Sequence, residues 1–173
     1  FGRWNEERRE AEIESLRSRL ADDPTDLDCA LDIARTLIEV ERAAEACDLL
    51  KPLEAEKEYR PRRAILLGRA HLQLDRAEDA EAILLDAIRS VAEDHQDFGE
   101  IQYHLAECAG RLGRPDEACA RLRGLLADPR YADHARARVR TSYAHHLSEV
   151  AGERRAVLTA VSSLQTNPSR NKR

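Results

Sequence analysis

An all-α fold built from repeated pairs of short helices is predicted by three features of this sequence. Apolar residues recur three or four apart over stretches of about a dozen residues, as one face of a helix requires. Small residues recur at a fixed period: Ala34 to Gly68 is 34 residues, and Ala46 to Ala80 is also 34. Ala, Leu, Arg and Glu dominate the composition, and no run of alternating β-branched residues suggests a strand.

The clearest unit is Arg62 to Ile88, RRAILLGRAHLQLDRAEDAEAILLDAI. Ala64, Leu67, Gly68, His71 and Leu74 fall on one helical face, and Ala80, Ile83, Leu84 and Ala87 fall on a second. Gly68 and Ala80 are small, as two backbones need where they approach most closely. Asp75 with Glu78 has the spacing of a capping box, so the second helix is expected to start near Arg76 or Ala77.

The segment resembles a tetratricopeptide repeat, a helix–turn–helix unit of about 34 residues. Leu67-Gly68, Ala80 and Ala87 stand where that family places small residues. The resemblance extends from Ala11 to Pro168. Residues 1–24 are expected to form an N-terminal helix, the second half of a truncated repeat, with a stripe of Ala11, Ile13, Leu16 and Leu20 ended by Pro24. Four repeats follow over residues 25–168, at about 27–60, 61–96, 97–130 and 131–168. Ala34 and Ala46 are the small pair of the first, with Pro52 expected to bend its second helix or end it early.

Ala80 to Ala118 is 38 residues, so a lengthened helix or connection near Ser90 to Gln96 absorbs about one extra turn. Repeat three carries HLAECAGRLGRPDEACARLRGLLADP, in which Gly113 ends one helix and Pro115 suits the first turn of the next. In repeat four Ala144, Leu147, Val150 and Ala156 take the expected roles. Residues 169–173 read as a disordered tail.

What the resemblance implies is a right-handed superhelix whose first helices line a concave groove, where a peptide, segment or helix of another protein is recognised. Family positions facing such a groove fall on Asp28, Leu31, Asp32, Arg35, Ile38 and Glu39, and on Arg62, Ile65, Leu66, Arg69, Leu72 and Gln73. Repeat three supplies Glu100, Tyr103, His104, Glu107, Gly110 and Arg111. Repeat four supplies Arg138, Thr141, Ser142, His145, Ser148 and Glu149. Arg35, Arg62, Arg69, Tyr103, His104, Arg138 and His145 are the candidate partner-binding residues. Arg35 and Arg69 share a repeat position, so they are expected to form a basic row, with Arg62 nearby, for an acidic partner segment. The alternative is that these arginines solvate the groove or pair with Asp32, Glu39 and Glu107. The Lys/Asn carboxylate clamp of the family's chaperone adaptors is absent.

Other chemistry is weakly represented. A net charge of -5 argues against a nucleic-acid binder. Cys29, Cys47, Cys108 and Cys119 form no CxxC pair and read as buried free thiols, with Cys29–Cys47 or Cys108–Cys119 bridges as the alternative in an oxidising compartment. His104, Glu107 and Cys108 share a helix face but lack a fourth ligand and an orienting partner. His145 and His146 are adjacent, hence about 100° apart on a helix, a poor start for a shared metal. No catalytic residue, metal ligand or cofactor is assigned, and no phosphate loop or HExxH motif is present.

The function expected is a non-catalytic protein-interaction scaffold or adaptor. Three rivals stand beside it: a regulatory or assembly domain of a larger, membrane-anchored enzyme or envelope complex, a small helical hydrolase or metal enzyme using His104 and Cys108, and a helical nucleic-acid binder. Self-association is a further expectation. No apolar run approaches the ~18 residues of a membrane span, and there is no signal peptide. The chain begins at Phe1 rather than Met, with a first repeat that lacks its front half. A removed membrane anchor ending near Phe1-Gly2-Arg3-Trp4 and an arbitrary boundary are both open. A cytoplasmic location is expected from the unpaired cysteines, with periplasmic or membrane-anchored placement as the alternative.

Overall fold

A computed structural model describes residues 2–53, 58–130 and 133–165, with side chains for 7–53, 58–130 and 137–156. Among these residues there are eight α-helices and no strand: α1 (Gly2–Asp22), α2 (Leu27–Glu39), α3 (Ala43–Leu50), α4 (Arg60–Gln73), α5 (Ala77–Arg89), α6 (Phe98–Arg111), α7 (Pro115–Ala127) and α8 (Asp133–Gln165). None is long and apolar enough to cross a membrane.

Local chemistry sets the helix ends. Pro24 lies just beyond α1, and Asp26 caps α2 by accepting from the Cys29 amide at 2.9 Å. That amide, and then the Arg19 guanidinium, hold the Asp26 carboxyl below its usual range. α3 stops at Leu50, two residues before Pro52, which disfavours helix at its predecessor. The extra residues after α5 form a longer connection between Arg89 and Phe98.

The turn inside each helix pair is the same. Glu41, Asp75 and Gly113 occupy one repeat position and take left-handed backbone, with φ of 62°, 58° and 71°. The next amide then reaches back to close the preceding helix: Arg42 to the Leu37 carbonyl at 2.8 Å, Arg76 to His71 at 2.9 Å, Arg114 to Ala109 at 2.8 Å. This is a Schellman closure. The capping box expected at Asp75 is therefore corrected. Asp75 terminates α4, and Arg76, which precedes α5, makes no side-chain capping bond. Asp serves here because it tolerates left-handed backbone better than most residues with a Cβ.

Packing proceeds from pair to pair through three clusters. The first joins Ile13 of α1 and the faces of α2 and α3 to Leu66, Leu67 and Ala70 of α4. The second joins Ala64, Ile65 and Leu72 of α4, through Ala80 and Leu84 of α5, to Ile101, Leu105 and Cys108 of α6. The third joins Tyr103, Ala106 and Ala109 of α6, through Ala118 and Leu122 of α7, to Val139 of α8. Each pair shares its apolar surface with the next, as a repeat array requires. The first helices α2, α4 and α6 also touch one another in succession, with a lighter contact from α6 to α8, whereas α3, α5 and α7 make no comparable contact. The row of first helices is thus the tighter, inner face.

Two expectations change at the ends. Ala11 is exposed, because it sits two residues and about 200° from Ile13, the α1 residue that is buried. In place of a fourth helix pair over 131–168, one continuous helix runs from Asp133 to Gln165. Val139, His146 and Val150 are buried along it, while Ala144, Leu147 and Ala156, expected at packing sites, are exposed. No left-handed residue or proline interrupts Val150 to Ala156, and Ala, Glu and Arg favour continuing the helix through Gly152. The tail at 169–173, Pro168, Phe1 and the Trp4 side chain lie outside the described residues.

Gly68 marks the closest approach within a pair: a Cβ there would lie 2.9 Å from Cγ and Cδ1 of Leu84, which is fully buried. Gly68→Ala is therefore expected to destabilise the fold by about 1–2 kcal/mol, overpacking outweighing the helix propensity gained. Urea unfolding checks this; equal or greater stability would show that Leu84 repacks freely.

Candidate functional site

The inner face is held together by side chains at matching repeat positions. At the second position, Arg62 of α4 donates to Asp28 of α2 at 3.1 Å, and Arg138 of α8 donates to Glu100 of α6 at 2.6 Å. At the thirteenth, Gln73 donates to the Ile38 carbonyl at 3.2 Å and Arg111 to the Leu72 carbonyl at 2.6 Å. These bonds add a second donor to carbonyls at the end of the preceding first helix that already accept from the Glu41 and Asp75 amides. Ser142 of α8 completes the pattern by donating to Glu107 of α6.

Seen this way, the sequence-derived candidates divide. Arg35 pairs with Asp32 on its own helix at 2.9 Å, and Arg62 is the tie to Asp28. Glu39 is taken by Arg9 of α1 at 2.6 Å. Of the candidate arginines, Arg69 alone has no hydrogen bond or ion pair among the described residues, so the expected basic row is largely neutralised from within. His104 is buried and faces Glu100 at 3.2 Å. Tyr103 is also buried, with the Arg138 guanidinium 4.0 Å from its ring centroid.

Glu100 is the electrostatic centre of this group. Burial raises its pKa, but His104 and Arg138 outweigh that effect and hold it at about 2, against an ordinary 4.5. A depressed carboxyl stabilises the fold above its unfolded value and loses that contribution as pH falls through its folded one.

Tyr103, Arg138 and His145 meet in a cleft of ≈ 610 Å³ between α6 and α8; Arg35, Arg62 and Arg69 are elsewhere on the inner face. Gly110 lines this cleft. At the same repeat position Ile38 and Leu72 are buried side chains, whereas Gly110 leaves a gap that the His146 ring enters. A Cβ at 110 would lie 2.1 Å from His146 Cε1. His146 is buried and bonds Glu149 at 2.7 Å, and His145 lies 3.7 Å from the same carboxylate. Sequence reasoning placed Gly110 on the groove face without counting it a site residue, and weighed His146 only as a poor metal partner for His145. The available signal was the loss of a large apolar residue at a repeat position that otherwise holds Ile or Leu.

The four cysteines are free and buried. Cys108 is wholly enclosed, and burial pushes its thiol up to about 12. The environment of an activated nucleophile is the opposite, exposed and electropositive.

Two outcomes are expected from these contacts. Glu100→Gln should cost roughly 2 kcal/mol at pH 7 and flatten the loss of stability between pH 4.5 and 2. Urea titrations across that range read it, and an unchanged pH profile would show that the carboxylate is not held this way. Gly110→Ala should displace His146 and loosen α8, at a cost of about 1–3 kcal/mol. Hydrogen exchange should then speed up over Val139–Val150 while α2–α5 keep their protection; uniform loss of protection would contradict a local role.

In comparison with known proteins, a tetratricopeptide repeat family model fits residues 6–67, which cover most of α1, the α2–α3 pair and the first half of α4. No curated protein and no solved structure matches the chain. The turn geometry of that matched stretch recurs in α4–α5 and α6–α7, with the same left-handed residue at Glu41, Asp75 and Gly113. Residues 6–67 are thus similar to tetratricopeptide repeats.

Proposed function

We propose that this chain is a non-catalytic interaction module that docks a polypeptide segment of a partner protein on its inner face. Tetratricopeptide repeats are in general protein-interaction modules, and the reading adds a place on this one. The observation that carries it is the cleft between α6 and α8, lined by Tyr103, Gly110, Arg138 and His145 among others. A concave, partly apolar surface with a few fixed polar groups is what a protein segment needs for affinity and orientation.

The partner-contacting set in this reading is Tyr103 and His145 around the cleft, whose wall Arg138 holds through Glu100, with Arg69 further along the inner face. Arg35, Arg62 and His104 serve as internal supports. Arg69 favours an acidic residue on the partner, since a guanidinium without an internal counter-charge gains most from a carboxylate. Four free thiols fit a reducing compartment and so favour the cytoplasmic placement.

Photo-cross-linking residues introduced at Arg69 and Thr141 on the first helices, and at Arg89 and Arg123 on the second, test the reading in cell extract. Cross-links to one protein from the first pair alone are expected, with Arg69→Glu weakening its binding about tenfold. Cross-links from Arg89 and Arg123 alone would move the docking surface to the outer face and overturn the proposal.

A further inference from the structure

We infer that His145, His146 and Glu149 form a binding site for a divalent transition-metal ion of the zinc class. The inference does not depend on partner docking. Adjacent histidines leave a helix about 100° apart, yet here both imidazoles turn toward one carboxylate a turn later. Glu149 Oε2 lies 2.7 Å from His146 Nδ1, and Oε1 lies 3.7 Å from His145 Nε2. The ring centroids are 5.1 Å apart, and one ligand atom from each residue falls within 4.8 Å of the others. In a tetrahedral site with bonds of about 2.0–2.1 Å, ligand atoms are roughly 3.4 Å apart. The observed separations bracket that value, so small side-chain rotations converge the three atoms on one ion.

The surroundings favour this use of the residues over packing alone. His146 is held against Gly110, where no other residue type leaves room for its ring. Glu149 departs from its repeat position: Gln73 and Arg111 donate there to a preceding carbonyl, and Glu39 pairs with Arg9. Among the described residues Glu149 instead pairs only with the two imidazoles, and the nearby Arg154 is directed to Asp116. Two imidazole nitrogens and one carboxylate oxygen are a borderline donor set, suited to zinc, nickel or cobalt and poorly suited to magnesium or calcium. All three residues line the cleft, which leaves a remaining coordination position facing its open space.

Calorimetric titration of the whole chain with Zn²⁺ at neutral pH is the test. One equivalent should bind with micromolar affinity, His145→Ala and Glu149→Gln should each weaken it at least tenfold, and His95→Ala should leave it unchanged. His145 is exposed, so its truncation leaves the fold intact, and circular dichroism verifies this. Co²⁺ bound at the same site should show visible absorption without a thiolate charge-transfer band. Absence of binding up to about 100 times micromolar zinc, affinity unmoved by both substitutions, or a thiolate band pointing to the cysteines would each overturn the inference.

Discussion

A pair of short helices has two apolar faces and, within itself, a partner for only one of them. Everything else in this protein follows from burying the second face on the next pair. The packing clusters accordingly do not coincide with the repeats; each runs from one pair into the first helix of the next. Close contact demands small residues at the crossings, which is why Ala34, Ala46, Ala80, Ala106 and Ala118 are all essentially inaccessible. It also demands a turn short enough to keep the two helices of a pair in register. The left-handed residue at Glu41, Asp75 and Gly113 meets that demand through backbone bonds alone, so only one of the three positions is a glycine.

The same periodicity that builds the core organises charge on the inner face. Residues 34 to 39 apart in sequence become neighbours, and the chain uses this to tie Arg62 to Asp28, Arg138 to Glu100 and Arg111 to the Leu72 carbonyl. An exposed ion pair contributes little by itself, and these link successive first helices at equivalent steps. A tie of this kind consumes the cation that makes it. The inner face therefore presents fewer free charges than its composition suggests, and its recognition chemistry falls to the places the ties leave open.

Much of the fold was legible because hydrophobic period and small-residue spacing report directly on which residues touch. Ala34, Gly68, Ala80 and Ala118 are where that reading placed them, and Pro52 and Gly113 act at helix ends as their backbone preferences dictate. Asp75 was misread because a capping box and a left-handed terminator use the same residue type, and only backbone dihedrals separate them. The far end was misread because Ala144 and Ala156 satisfy a spacing rule that is silent on whether the chain turns between them. For the arginine row, repeat register showed that Arg35 and Arg69 are equivalent and left pairing with Asp32 open as the alternative; Arg35 makes that pair.

The repeat pattern itself breaks at the α6–α8 junction, where one residue differs. Through the earlier repeats a large apolar residue, Ile38 or Leu72, stands buried where repeat three has Gly110. Gly110 removes that side chain, so the neighbouring helix must supply the missing volume. His146 does so with a polar ring, and burying it requires a hydrogen-bonding partner. Glu149 provides the partner, and His145 comes within reach of the same carboxylate. A single lost side chain in the repeat pattern thus draws a titratable cluster to the mouth of a cleft. A packing pattern is broken at small cost where another requirement replaces it, and here the replacement is a surface able to hold ligand atoms.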